Sequence, residues 1–373
     1  MKRNMLENMI WRGKIKKEEL PFNEVDYLIL SVLIYQRLED VKSYGEGLTI
    51  KELYPIVCPL PLSEVKGFDT NRYKLWALCA SSIRFSSLRL DHFSISTSNE
   101  IDNEEQFAAA IFSFDNKDAI VIFRGTDESI TGWKEDLNLG FEDEIPSEKK
   151  ALEFILEYEK EYNFLTFCGH SKGGTLALYV SRMVDDLIFN KISAIWSFDA
   201  PGLPDSLATG PRWEEIKKVT KSFIPTSSII GMLFNTTLNP YIVKSDSLGI
   251  LQHDAFNWNI NKESFVLSHD RSVLSKYRTK TMQNFFNNSS KEDREILVEV
   301  LYKVLLSVKE NNVFKLPIAI VEHFSLFNKA LESLNEKEQD VLKRLNAAMR
   351  EARLSSIETI VGKTRGKSEK KEE

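Results

Sequence analysis

One stretch narrows the folds open to this chain more than any other. The run Phe164-Leu165-Thr166-Phe167-Cys168 is followed at once by Gly169-His170-Ser171-Lys172-Gly173-Gly174 and then by Thr175-Leu176-Ala177-Leu178-Tyr179-Val180. An apolar run of strand length thus passes through a glycine-bracketed turn into an apolar helical pattern. A strand apolar on both faces belongs inside a parallel sheet covered on both sides, where neither face meets water. Glycines two residues either side of Ser171 allow a turn so tight that a side chain at either place would strike backbone. The same turn lifts the serine hydroxyl above the sheet edge, the geometry of a nucleophile elbow.

The remainder of the pattern is consistent with that beginning. The apolar run Tyr27 to Tyr35 predicts a buried helix, and Arg72 to Phe85 a second. Phe107 to Phe114 and Ala119 to Phe123 flank the turn-forming Asp115-Asn116-Lys117-Asp118 and predict a β-hairpin. Ala151, Leu152, Ile155, Leu156 and Tyr158 mark a helix before the elbow, Ile192 to Phe198 a buried strand after it, and Val219 to Ile224 a further short strand. Helices alternating with buried strands imply an α/β fold, a mostly parallel sheet covered by helices on both faces. Beyond residue 271 the strands stop. Asp293 to Lys309, Lys315 to Leu334 and Lys337 to Leu354 read as helices. The expected division is a charged N-terminal lead over 1–19, an α/β domain over 20–270, a helical extension over 271–361 and a disordered charged tail over 362–373.

Composition excludes several classes. A net charge of -6 argues against a nucleic-acid partner, which would favour a basic excess. Three cysteines, Cys58, Cys79 and Cys168, cannot build a disulfide framework and fit a reducing compartment. The N-terminus lacks the apolar core of a signal peptide, and no apolar run reaches the length of a membrane span, so a cytoplasmic location is expected. Spacings for metal ligands or a phosphate loop are absent, and no cofactor is expected.

A serine hydroxyl is a weak nucleophile at neutral pH, so Ser171 needs a base, an acid to orient it and donors for the oxyanion. His253, in Gln252-His253-Asp254, lies downstream as chain order requires and is the expected base, while His269 reads as structural. His170, beside the serine, should pack or cap. For the acid, Asp199 ends the strand after the elbow helix, where Pro201-Gly202 enforces a turn; Asp246 and Asp254 are the alternatives. The backbone N–H of Lys172 and the loop Arg124-Gly125-Thr126, through Thr126, are expected to form the oxyanion hole. Arg124 should pair with a carboxylate such as Asp136.

Taken together, Ile120 to Thr126, Trp133-Lys134-Glu135-Asp136-Leu137 and Gly169 to Gly174 resemble the class three lipase pattern, and more closely the bacterial Mbeg-like family of α/β-hydrolases. Pro21 to Asp26 with Leu28 to Ser31, Phe198 to Gly202, Ser227 to Leu233 and Gln252 to Asp254 with Trp258 are similar to that family as well, so the likeness spans about residues 20 to 265. It implies a lipase-like serine hydrolase with Ser171 as nucleophile and His253 as base. One departure stands out: class three lipases carry their acid after the strand that here is Val219 to Ile224, where this chain has Ser228.

The expected activity is cleavage of a carboxylic ester or related acyl substrate, small or lipid-like, through an acyl-enzyme, with peripheral membrane contact open. Ile229 to Phe234 would line or cover the acyl site. Ser228 in the acid's place and the long helical extension also motivate a second reading, an interaction protein with an impaired site whose C-terminal helices bind a partner, and acyl transfer by the same serine is a third.

Overall fold

The computed structural model describes residues 4–36, 38–41, 46–67, 69–100, 103–115, 117–126, 144–233, 237–272, 275–277, 289–308, 310, 316–347 and 350–351. The chain divides into two compact units, Met1–Arg271 and Ser272–Glu373. The first holds an eight-stranded sheet in the order β1 (Arg89–Glu100), β2 (Asn103–Ser113), β3 (Asp118–Phe123), β4 (Phe164–His170), β5 (Ile192–Phe198), β6 (Thr220–Pro225), β7 (Tyr241–Val243), β10 (Leu267–Ser268). β8 (Ile260–Asn261) and β9 (Ser264–Phe265) form a separate two-stranded pair. β3 through β7 run parallel, and the β1–β2, β2–β3 and β7–β10 pairs are antiparallel. The architecture is therefore α/β, with a mostly parallel central sheet flanked by helices.

Strand order dictates which helices cover which face. β3, β4, β5 and β6 are neighbours in chain order, and right-handed crossovers advancing in one direction place every connecting helix on the same side. Those helices are α5 (Pro146–Tyr158), α6 (Lys172–Met183), α7 (Asp186–Phe189) and α8 (Gly210–Val219). They pack on Ala119, Val121 and Phe123 of β3, Leu165 and Phe167 of β4, and Ile195 of β5. The alternate residues Ile120, Ile122, Cys168, Trp196 and Phe198 face the other way. That side has no crossover helix to cover it, and the N-terminal helices α1 (Met5–Arg12), α2 (Glu24–Leu33), α3 (Ile50–Val57) and α4 (Asp69–Ser81) do so instead. Tyr27 of α2 stacks on Trp196 of β5 at 4.8 Å between ring centres.

The N-terminal residues are thus part of the core and not a charged lead. Met5 and Met9 are buried, and Arg12 is fully buried because it has a partner. Arg12 Nη2 lies 2.7 Å from Asp26 Oδ2, and Arg84 Nε lies 2.6 Å from Asp26 Oδ1, with all three side chains at 0% exposure. Further guanidinium N–H groups donate to the carbonyls of Leu20 and Pro21. β1 was not expected from the sequence, because it is a polar edge strand whose alternation is broken by a register shift between Leu90 and His92.

The second unit is helical in its described residues: α9 (Lys291–Ser307), α10 (Leu316–Glu322), α11 (Phe324–Glu332) and α12 (336–347). Leu297 and Val341 pack together, and Val300 and Val304 pack with Leu334. The single helix expected over Lys315 to Leu334 is two, because His323 leaves the helical backbone region at φ -112°, ψ 32°. No proline or glycine marks the break. Residues 362–373 lie outside the described residues. Among the described residues no helix is long and apolar enough to cross a membrane.

Candidate active site

The parallel register brings four strand ends to one level. Phe123 pairs with Gly169, Gly169 with Ser197, His170 with Phe198, and Phe198 with Phe223. The residues that follow these positions are Arg124-Gly125-Thr126, Ser171, Asp199 and the turn containing Ser228, so they meet at the carboxyl edge of the sheet. His253 reaches the same edge at the end of a short 3₁₀ turn, Gly249–His253, between β7 and β10.

Ser171 sits between β4 and α6 with φ 58° and ψ -137°. A positive φ is uncommon for a residue with a side chain and is sustained only by its surroundings. Here the surroundings are the Ser171 N–H donating to the Phe198 carbonyl at 2.9 Å and its own carbonyl accepting from Gly174 at 2.9 Å. The flanking glycines are sterically required. A Cβ on Gly169 would lie 2.2 Å from the Gly173 carbonyl carbon, and one on Gly173 would lie 2.0 Å from the Phe123 carbonyl oxygen. A serine at a helix N-cap ordinarily accepts, through its hydroxyl oxygen, from the first-turn amide N–H groups. Ser171 makes no such cap bond, and its Oγ has no hydrogen-bond partner among the described residues. The neighbouring Cys168 is kept protonated, since burial pushes its thiol up to about 12.

His253 and Asp199 are joined. His253 Nδ1 lies 2.7 Å from Asp199 Oδ2, and both side chains are buried. A carboxylate at Nδ1 places the proton there and leaves Nε2 as the unprotonated nitrogen. The carboxylate is itself held. Its Oδ1 accepts from Ser228 Oγ at 2.5 Å and from the Gly231 N–H at 3.1 Å, while its own N–H donates to the Phe223 carbonyl. Ser228, which stands where the resemblance places an acid, is therefore a donor to Asp199 one strand away. Ile230 and Leu233 are buried, and the described part of the Ile229 to Phe234 segment braces the carboxylate through Gly231; Phe234 lies outside the described residues.

The other carboxylates are engaged elsewhere. Asp246 accepts from Asn259 Nδ2 at 2.9 Å, and Asp254 caps the next 3₁₀ turn through the Phe256 N–H. His269 is exposed beyond β10. Arg124 pairs with Glu39 at 3.1 Å; Asp136 lies outside the described residues. The Arg124 to Thr126 loop runs directly beside the elbow, for a Cβ on Gly125 would come within 3.0 Å of Ser171 Cβ and 2.5 Å of the His170 carbonyl oxygen. Thr126 is buried there, and Lys172 opens α6 with its Nζ donating to the Gln106 carbonyl at 2.8 Å. Gln252 ties the His253 turn to the β6 end, accepting from the Ser227 N–H at 2.6 Å. No group of three or more His, Cys, Asp or Glu side chains that could hold a metal occurs among the described residues.

Sequence reasoning missed the support behind these groups. His170 is buried, with Nε2 2.8 Å from the His253 carbonyl oxygen and Nδ1 3.1 Å from the Tyr35 hydroxyl. No spacing signal links positions 35, 170 and 253. Desolvation, then the nearby His253, holds the His170 imidazole well below its usual value of 6.5. The sign follows: below about pH 6.5 the unfolded chain binds a proton that the folded site refuses, so this group's contribution is full above that pH and is lost as pH falls. Urea titrations at pH 7 and pH 5 should show the wild type losing more stability than His170→Gln, by up to about 1.4 kcal/mol per pH unit. Equal losses would contradict the burial argument.

No curated protein matches the chain. A crystal structure of M37 lipase is similar at 12% identity over 57% of this chain and 70% of that one, with a TM-score of 0.34, a likeness too loose to place any residue. A family model described as Mbeg1-like matches residues 79–303, which contain the elbow, Asp199 and His253, and on that match the chain belongs to the Mbeg1-like family, a lipase-like family.

Proposed function

We propose that the protein is a serine hydrolase of the α/β-hydrolase type that cleaves a carboxylic ester or related acyl substrate through an acyl-enzyme. The observation that carries this reading is the pairing of His253 with a buried, doubly supported Asp199 at the level of a serine whose hydroxyl is withheld from helix capping. Ser171 Oγ attacks the acyl carbon, and His253 Nε2 takes its proton and returns it to the leaving alcohol. Asp199 keeps the imidazole in the Nδ1–H form and balances the charge that develops. The backbone N–H groups of Lys172 and Thr126 hold the oxyanion. Water then repeats the cycle on the acyl-enzyme. In the free protein no hydrogen bond joins Ser171 to His253, a contact that commonly tightens when substrate binds.

Leu248 and Leu251 stand 81% and 49% exposed on and beside the turn that ends at His253, an apolar rim that suits an acyl chain and a lipid-like substrate. Three unpaired, buried cysteines are in keeping with work in the cytoplasm. Ser228 lends no support to the impaired-site reading, since it donates to Asp199, and that reading then rests on the helical second unit alone. A fluorophosphonate probe at pH 7.5, about 8 at most, should label the wild type and leave Ser171→Ala unlabelled. An unlabelled wild type, or equal labelling of both, ends the hydrolase reading.

A further inference from the structure

The hydrolase reading employs one of two histidines that meet at the sheet edge. The second, His170, is as deeply buried as the first, and the two ring centres lie 4.5 Å apart at 33°. The His253 carbonyl oxygen only accepts, so His170 Nε2, 2.8 Å away, carries the proton. A neutral imidazole then presents Nδ1 as an acceptor, and the Tyr35 hydroxyl, 3.1 Å away, donates to it. The same hydroxyl proton is also within reach of the His170 carbonyl oxygen, 3.3 Å away, so the two acceptors of His170 share it. Tyr35 follows α2, whose end is anchored by Trp76 Nε1 donating to the Leu33 carbonyl at 3.0 Å. A continuous set of contacts therefore runs from the N-terminal layer, through an imidazole, to the main chain of the base.

That arrangement does something a packing residue would not. The Nε2–H of His170 fixes the backbone carbonyl of His253, and so the Cα from which the reacting ring projects, beside the tie that Gln252 makes from the same turn to the β6 end. When His253 takes the serine proton it becomes a cation, and a second cation 4.5 Å away would oppose it. Burial, then the neighbouring His253, keeps the His170 imidazole uncharged, and the Tyr35 hydroxyl faces its acceptor nitrogen. We propose that His170, with Tyr35 donating to it, is the positioning residue for His253, holding the base's main chain through Nε2–H and backing its ring with an uncharged face. This rests on the serine-hydrolase reading.

The test uses the full chain with a soluble aryl ester, alongside fluorophosphonate labelling. His170→Leu removes the donor and should lower kcat about 10- to 100-fold with KM changed by less than about twofold. His170→Gln, whose amide can still donate to the carbonyl, should return to within about fivefold of wild type. Tyr35→Phe, which leaves Nδ1 without its donor, should slow turnover about three- to tenfold. Nitrogen NMR of the wild type should show His170 as the neutral Nε2–H tautomer. Equal rates for the Leu and Gln variants, whether both slow or both normal, would reduce His170 to packing and overturn the proposal. Should His170→Leu fail to fold, a wild-type rate for Tyr35→Phe, or an Nδ1–H tautomer for His170, overturns it equally. Ser171-dependent labelling of the wild type together with an undiminished rate in His170→Leu defeats the positioning role alone; an unlabelled wild type defeats the hydrolase reading and this proposal with it.

Discussion

Asp199→Ala should slow ester turnover by about 10⁴-fold while leaving substrate affinity nearly intact. Asp199 Oδ2 is the acceptor facing His253 Nδ1, at 2.7 Å, and its loss frees the imidazole to turn or to adopt the tautomer that presents a proton to the serine. Two further donors, Ser228 Oγ and the Gly231 N–H, converge on Oδ1 and would be left facing a cavity. Asp199→Asn should lose a comparable factor, because an amide reverses the tautomer without opening space. Asp246→Ala is the matched control and should stay within about twofold, since its carboxylate bonds Asn259 away from the imidazole. The measurement is kcat and kcat/KM for a soluble aryl ester. A variant at 199 with more than about a tenth of wild-type kcat would remove Asp199 from the triad.

The second large effect is on stability. Asp26→Ala should cost about 3–5 kcal/mol, because it strands two guanidinium groups in a layer that excludes water. Arg12 and Arg84 converge on that one carboxylate, and all three side chains have 0% exposure. Asp26 also accepts from the Asn23 N–H and so closes the first turn of α2. Urea unfolding of the full chain at pH 7 would give the value. The exposed Lys150–Glu153 pair offers the contrast, and its removal should shift the midpoint by nothing measurable. A small loss in Asp26→Ala would mean that water reaches the cluster.

Legibility in the sequence followed how locally each feature is encoded. The strand-turn-helix at Ser171 was readable because strand, turn glycines and helix lie within seventeen consecutive residues, Phe164 to Val180, where Gly169 abuts the backbone of Gly173 and Gly173 that of β3. The alternation of buried strands gave the parallel sheet for the same reason. Asp199 could be named as a candidate from its place at a strand end, but the choice over Asp246 and Asp254 depends on a contact spanning 54 residues that no spacing encodes. Ser228 looked like a defect because its neighbour across the sheet is set by register and not by chain order. Residues 1–19 looked like a solvated lead since Arg12 is charged; only the fold supplies Asp26 beside it. β1 escaped because an edge strand has one dry face and a register shift interrupts even that.

The one-sided crossovers also impose an order of events on the chain. The helices α1–α4 are made before β3, β4, β5 or β6 exists, and Trp258, Ile260 and Phe265 join the same core later still. While the chain is being synthesised, Leu28, Ile29, Leu33, Leu75 and Trp76 wait for strands that arrive more than forty residues later. The N-terminal layer and the sheet complete each other only after Trp196 and Phe198 are in place, which makes the pairing non-local and slow by construction. A nascent protein of this topology therefore spends its longest interval with an apolar helical layer uncovered, the state in which a growing chain most depends on holdase protection.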